Sequence, residues 1–285
     1  MQMFDSTIQT ILNERLEALE KHFDADIVFY VGPIFASLEN LFRDSIEKLR
    51  ESSPGHDNIV IFLNTPGGSA ETVEKMVEII RFHYKEVSFV VPDCAMSAGT
   101  IFCMSGNKIW MDYSSSLGPI DPQVYNGQNW VPALGYLDQV DKMIEKAREG
   151  TLTHAEFAIL QSQDLAMLNS YEQQKNLTTT LLTNWLVEYK FKDWVTHTKT
   201  GQAVTPDEKL ARAKSIAQLL GDNKTWHSHG RFISAKTLRE GLRLKIEDYS
   251  TDLELRSLIR SYNDILIEYV RRNNWQYYLH SKHLS

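Results

Sequence analysis

The first hundred residues alternate short, uninterrupted apolar runs with longer segments of helical periodicity. Residues 26–31 (DIVFYV), 58–63 (NIVIFL) and 87–91 (VSFVV) are rich in β-branched and aromatic side chains, as expected of strands buried on both faces. The segments at 36–49 and from Ser69 onward repeat apolar residues every three or four positions, which is typical of helices. This alternation predicts an α/β fold with a largely parallel sheet.

The rest of the chain is predicted to be mostly helical. Residues 1–24 favour an N-terminal helix, 94–104 a small apolar helix in the core, and 108–111 a fourth strand. Further helices are predicted at 133–149, 154–190, 205–220, 234–243 and 251–272, with one late strand at 244–246. We therefore expect one domain over 25–250 with a helical insertion at about 133–222, followed by a C-terminal helix and tail over 251–285, the tail docking on its own body or on a neighbour.

Charge and composition narrow the possible partners. The chain has 30 Lys and Arg against 37 Asp and Glu, so its net charge of −7 gives no general attraction to nucleic acid or anionic lipid. The N-terminus lacks a signal-peptide pattern, no window is apolar enough to span a membrane, and two cysteines do not make a disulfide framework. We expect a cytoplasmic protein.

No cofactor or metal is predicted. The histidines show no ligand spacing, and the tract at 280–283 is expected at the surface. The glycines form neither a dinucleotide fingerprint nor a phosphate-binding loop, so neither a dehydrogenase nor an ATPase is indicated, and any ATP dependence would come from a separate protein.

Two short segments could carry chemistry, residues 64–69 (NTPGGS) and 95–99 (AMSAG), each close behind a predicted strand. Ligands of parallel sheets bind at the carboxyl ends of strands. Gly67 and Gly68 leave their backbone N–H groups uncovered, and Ser97 lies between small residues where the next helix begins. Each segment alone is more often a turn or a helix cap, but the two together indicate a nucleophilic serine beside an oxyanion hole.

A third segment makes a family resemblance specific. Residues 116–123 (SLGPIDPQ), together with 64–69 and 95–99, resemble the superfamily of the Clp protease proteolytic subunit and signal peptide peptidase A, and within it the serine dehydrogenase proteinases. Residues 231–235 (RFISA) and 240–242 (EGL) resemble the end of its core. The resemblance implies a ClpP/crotonase-like spiral of βαβ units, Ser97 as nucleophile, an oxyanion hole from the amides of Gly68 and Ala98, and a homo-oligomer.

The general base remains open between two candidates. Where Clp-type members place a histidine this chain has Asp121, and near the later Clp-type aspartate it has His229. One possibility is a lysine, as in peptidases of the signal-peptide type, with Lys142 or Lys146 at a similar spacing; both lie opposite the apolar face of their helix. The other is His229 oriented by Asp121.

The sequence therefore predicts a serine endopeptidase that acts on a peptide or protein through an acyl-enzyme on Ser97. Two alternatives use the same fold. One is a scaffold that is inactive or needs an activating partner, and the other is a crotonase-type acyl-CoA enzyme, for which no CoA pocket is indicated.

Overall fold

The computed structural model describes residues 2–52, 55–125, 127–128 and 130–282. Its helices are α1 (Gln2–Phe23), α2 (Leu38–Ser52), α3 (Ala70–His83), α4 (Ala98–Met104), α5 (Ala133–Arg148), α6 (His154–Gln161), α7 (Leu165–Trp185, continued by a π-helical turn Leu186–Lys190), α8 (Pro206–Leu220), α9 (Asn223–Trp226), α10 (Ala235–Glu240) and α11 (Leu253–Arg272). Its strands are β1 (Asp26–Val31), β2 (Asn58–Asn64), β3 (Glu86–Val91), β4 (Cys94–Ala95), β5 (Lys108–Met111), β6 (Ser116–Leu117), β7 (Gln123–Tyr125), β8 (Trp130–Pro132), β9 (Ile233–Ser234), β10 (Glu247–Asp248) and β11 (Tyr278–Ser281).

The main sheet has the strand order β10-β5-β3-β2-β1-β11. Strands β1, β2, β3, β5 and β10 run parallel, and each strand in chain order adds beside the previous one, so the βαβ units follow one another across the sheet. Only β11 is antiparallel, against β1. The predicted α/β fold with a mostly parallel sheet is confirmed.

Both faces of this sheet are covered, which is why its strands read as continuous apolar runs. On one face lie α1 and α11, whose leucines and isoleucines pack against Ile27, Phe29, Val60 and Phe62. On the other face, α2, α3 and α4 form the larger core with residues of α7 and α8. The terminal helices are thus part of the packed body.

A small second sheet, β4-β6-β9, stands beyond the carboxyl ends of the main strands. Strand β6 is parallel to β4 and antiparallel to β9. Isolated pairings of Thr65 with Ala95 and of Ile34 with Gly68 continue this small sheet toward the main one. It is the frame on which the candidate active site is built.

Several local predictions were wrong. Residues 94–104 are not one helix, because β4 pairs with β6 and Ser97 breaks the helical path before α4. The predicted helix at 154–190 is interrupted because Asp164 caps a new helix, accepting hydrogen bonds from the amides of Ala166 and Met167. The late strand is β10, just beyond the predicted 244–246.

The tail docks on its own body. Strand β11 covers the outer edge of β1, so His280 and Ser281 are buried rather than on the surface; His283 lies outside the described residues. This pairing leaves β1 without a free edge for another chain. In the described part of the chain, no helix has the length and apolar character needed to cross a membrane.

Candidate active site

Ser97 occupies a sharp turn between β4 and α4. Its backbone has φ 52° and ψ −116°, a conformation that a side chain rarely adopts and that costs about 1–3 kcal/mol. Although Ser97 stands at the N-cap position of α4, its hydroxyl makes no capping hydrogen bond. The half-buried side chain is therefore held in a strained strand-to-helix turn with its Oγ uncommitted, the arrangement that presents a nucleophile.

The loop after β2 packs directly against this turn. A Cβ on Gly67 would lie 2.7 Å from the carbonyl oxygen of Met96 and 2.8 Å from Cβ of Ser97, so only glycine allows this approach. Gly68, at φ 149°, packs even more closely against Ile34. A Cβ added at this position would lie 1.9 Å from the carbonyl oxygen of Ile34. The two glycines set the distance between the loop and the serine.

The amide of Gly68 is turned away from its pairing partner. The N–H of Ile34 donates to the carbonyl of Gly67 at 2.8 Å, and the N–H of Ser69 donates to the carbonyl of Ile34 at 3.0 Å. In a parallel pairing of this kind, the N–H of the residue between them, Gly68, points to the opposite side. It donates no hydrogen bond to any described residue.

The amide of Ala98 is also unused. The next two N–H groups of α4, those of Gly99 and Thr100, donate to the carbonyls of Met96 and Ser97 at 2.8 and 2.9 Å. Ala98 precedes them as the first residue of the helix, and its N–H has no acceptor within the described part of the chain. Among the residues that the structure describes, the amides of Gly68 and Ala98 are thus unbonded donors in the two segments that meet at the Gly67–Ser97 contact.

The strand topology brings three residues of interest to one edge of the small sheet. Ser97 follows β4 and Asp121 follows β6, and because these strands are parallel their carboxyl ends meet at the same edge. Strand β9 is antiparallel to β6, so its amino end lies at this same edge. His229, which precedes β9, is therefore also at this edge. Nδ1 of His229 lies 2.8 Å from Oδ1 of Asp121, although 108 residues separate them.

Both oxygens of the Asp121 carboxylate are hydrogen-bonded. Its side chain is only 2% exposed, and its second oxygen, Oδ2, accepts a hydrogen bond from the Nε2 group of Gln123 at 2.8 Å. Because a carboxylate accepts, Nδ1 of His229 carries the proton in this pair. Nε2, the nitrogen that a general base would use, bonds to none of the described residues. The role of Gln123 was not predicted, although it lies in the 116–123 segment.

Thr100 joins the two loops of the site. Its hydroxyl oxygen lies 2.8 and 2.9 Å from the carbonyl oxygens of Ala95 and Gly118, which share its single proton, and it accepts a hydrogen bond from the N–H of Gly118 at 2.9 Å. Thr100 is completely buried. It ties the strand before Ser97 to the segment that leads to Asp121, a positioning role that no sequence pattern indicated.

Both candidate lysines are exposed on α5. Lys142 is exposed on α5, which packs against α6, α7 and β8. Lys146 forms an ion pair with Glu156 of α6. Over the described ranges, no group of three or more His, Cys, Asp or Glu residues is arranged to hold a metal ion.

Comparison with known proteins assigns the family. The family model for ClpP-like SDH-type serine proteinases matches residues 13–224, a range that includes Ser97 and Asp121 and ends just before His229. Two similar proteins of Methanocaldococcus jannaschii are "Uncharacterized protein MJ0137", 36% identical over 41% of this chain and 40% of its own, and "Uncharacterized protein MJ1495", 30% identical over 46% of this chain and 44% of its own. The match thus spans less than half the length of these relatives. This chain belongs to the family of ClpP-like SDH-type serine proteinases.

Proposed function

We propose that the protein hydrolyses peptide bonds through an acyl-enzyme on Ser97, with His229 as general base and Asp121 as its orienting acid. The observation that carries this proposal is the 2.8 Å hydrogen bond between His229 and Asp121 at the sheet edge where Ser97 emerges. A serine hydroxyl needs a base to become a nucleophile, and a histidine aligned by a buried carboxylate is suited to that work near neutral pH.

The proposed reaction assigns a role to each group of the site. Nε2 of His229 takes the proton from Oγ of Ser97 while Oγ bonds to the carbonyl carbon of the substrate. The electron pair of the carbonyl moves to its oxygen, which accepts hydrogen bonds from the N–H groups of Gly68 and Ala98. The carbon–nitrogen bond then breaks, and the leaving amine takes the proton from His229. A water molecule hydrolyses the acyl-enzyme by the same sequence of proton transfers.

The geometry favours His229 over Lys142 as the base. A lysine acts as a base only when burial lowers its pKa, because an exposed ammonium keeps its proton near neutral pH. Lys142 is exposed on α5, whereas the His229 ring is only 25% exposed and is bonded to a buried carboxylate.

The proposal is tested by labelling with a fluorophosphonate, which reacts with activated serines. We expect the native chain to gain the mass of one adduct, mapped to Ser97, and Ser97→Ala to gain none. Ser257→Ala is the matched control, since Ser257 is an exposed serine of α11, outside every segment of the candidate site, and should leave labelling unchanged. A native chain that stays unlabelled while folded would contradict the proposal and favour a scaffold without an activated serine.

We also propose that the protein self-associates. Helix α6 buries none of its residues, and Phe157 and Ile159 are 54% and 51% exposed. An apolar helix exposed in this way is typical of a surface that packs against another chain. Light scattering should give a mass of at least twice the 32.8 kDa of one chain. A monomer at micromolar concentration would contradict this expectation.

A further inference from the structure

A groove of about 1040 Å³ lies between α5, α7 and the corner where α8 meets α9. Ile120 and Pro122, the two chain neighbours of Asp121, form part of its wall. Another part is the segment 221–224, which lies a few residues before His229. The groove thus contacts both chain segments that carry the proposed acid–base pair.

The groove is long enough for an extended polypeptide. The α7 residues that line it recur at three- and four-residue spacing from Leu165 to Thr179, forming one stripe along the helix. At 1.5 Å per residue this stripe is about 21 Å long. An extended chain rises about 3.3 Å per residue, so the stripe accommodates about six residues of a bound segment.

Part of the groove lining is apolar. Leu134 and Leu137 of α5 line it, together with Leu165 and Leu168 of α7. The side chain of Leu165 is 78% exposed, so its apolar surface is available to a ligand. The groove therefore suits apolar side chains of a bound segment.

The groove lining is also acidic. Four carboxylates, those of Asp138, Asp141, Glu172 and Asp222, line the groove against the two ammonium groups of Lys175 and Lys224. Lys224 is already paired with Asp138 at 3.1 Å, and Asp222 accepts hydrogen bonds within α9. Asp141 and Glu172 form no hydrogen bond or ion pair with any residue that the structure describes. These two carboxylates are available to a ligand.

We propose that this groove binds a segment of the polypeptide substrate that carries both apolar side chains and at least one Lys or Arg. The proposal rests on the proposed peptidase function. Its charge argues against other occupants, because a second copy of this chain, with 37 acidic residues against 30 basic ones, and nucleic acid would both bring negative charge to an acidic groove.

The test measures peptide binding to Ser97→Ala, which keeps the groove but cannot turn over substrate. Three fluorescent peptides of about seven residues are compared by anisotropy: leucine alternating with lysine, leucine with glutamate, and serine with lysine. We expect the leucine–lysine peptide to bind at least about tenfold more tightly than either of the others. Equal affinities, or no binding of any peptide, would overturn the proposal.

Charge reversal locates the binding site. In the background of Ser97→Ala, the double change Asp141→Lys and Glu172→Lys should remove the preference for lysine over glutamate or reverse it. The matched control is Glu47→Lys with Glu78→Lys, two exposed helical positions on α2 and α3 away from the groove, which should keep the preference. A preference that survives the groove changes would place binding elsewhere and overturn the proposal.

Failure of this proposal can be separated from failure of the peptidase function. Fluorophosphonate labelling of Ser97 in the otherwise native chain depends on the activated serine and not on the groove. If labelling occurs while the peptide preference is absent, the peptidase function stands and only the groove assignment is wrong. If labelling is absent while the preference holds, the groove assignment stands and the proposed function is wrong.

Discussion

The two halves of the candidate site are built in different ways. The half with Ser97 is made of backbone: two glycines, a strained turn and two free N–H groups, all within residues 64–99. The half with Asp121 and His229 is made of side chains that are 108 residues apart in the chain. In the half with Ser97, activity should therefore fall when a substitution adds atoms to the closely packed backbone. In the half with Asp121 and His229, activity should fall when a side chain loses its charge or its proton acceptor, even if its shape is nearly unchanged.

Asp121→Asn gives the largest expected effect on the side-chain half. An amide matches the shape of the carboxylate but cannot stabilise a positively charged His229, and it favours the wrong proton position on the ring. We expect the rate of peptide hydrolysis to fall about ten-thousand-fold with little change in the free energy of unfolding. Asp44→Asn, a change of the same kind at a surface ion pair on α2, is the control and should remain within about twofold.

Gly68→Ala gives the largest expected effect on the backbone half. The new Cβ would lie 1.9 Å from the carbonyl oxygen of Ile34, so the loop must move and the N–H of Gly68 moves with it. We expect labelling of Ser97 to slow by about a hundred- to a thousand-fold, as for loss of an oxyanion donor. The free energy of unfolding should also fall, by about 2 kcal/mol or more.

Gly135→Ala is the matched control for this change. Gly135 lies in α5 and an added Cβ there meets no atom within 4 Å. Alanine is the better helix former, so this variant should be unchanged or up to about 1 kcal/mol more stable in urea unfolding, with normal labelling. If Gly68→Ala behaved like Gly135→Ala, the backbone account of this half would be contradicted.

A smaller effect concerns pH and distinguishes two histidines. His229 has a carboxylate partner, but His280 is buried in β11 beside the hydroxyl of Tyr262, and burial lowers its pKa from 6.5 to about 4. The folded state therefore binds fewer protons than the unfolded state between these values. Protonation of His280 therefore favours the unfolded state. The free energy of unfolding is unaffected by this residue above pH 6.5 and falls as the pH drops toward 4, by about 3 kcal/mol in all.

Urea unfolding at pH 7 and pH 5 measures this loss. The native chain should be less stable at pH 5, and His280→Gln should show a smaller difference between the two pH values. An equal pH dependence in His280→Gln would show that another group is responsible.

The sequence allowed the backbone half to be predicted because its determinants are local. Residues 64–69 and 95–99 each follow a strand that is evident from its apolar run, and the glycines and small residues leave few other uses for those turns. The residues themselves indicated a serine beside free backbone N–H groups, and the family resemblance implied Ser97 as the nucleophile with the amides of Gly68 and Ala98 as donors. The strain at Ser97 was not predicted, because it results from β4 pairing with β6 where a helix was predicted.

The side-chain half could be narrowed to two alternatives but not decided. His229 reaches Asp121 because β9 pairs antiparallel with β6, and β9 is only two residues long, too short to give a periodic pattern. The burial of Asp121, its contact with Gln123 and the exposure of Lys142 all depend on tertiary packing. Tail strand β11 was missed for the same reason, as its pairing with β1 is long-range.

The most direct test of the central claim is the rate of Ser97 labelling by a fluorophosphonate in His229→Ala and Lys142→Ala, with circular dichroism to verify folding. The account predicts a fall of at least about a hundredfold in His229→Ala and a change below about twofold in Lys142→Ala. Added imidazole should restore part of the rate in His229→Ala, because the missing base is then supplied from solution. A fall in Lys142→Ala with normal labelling of His229→Ala would contradict the account.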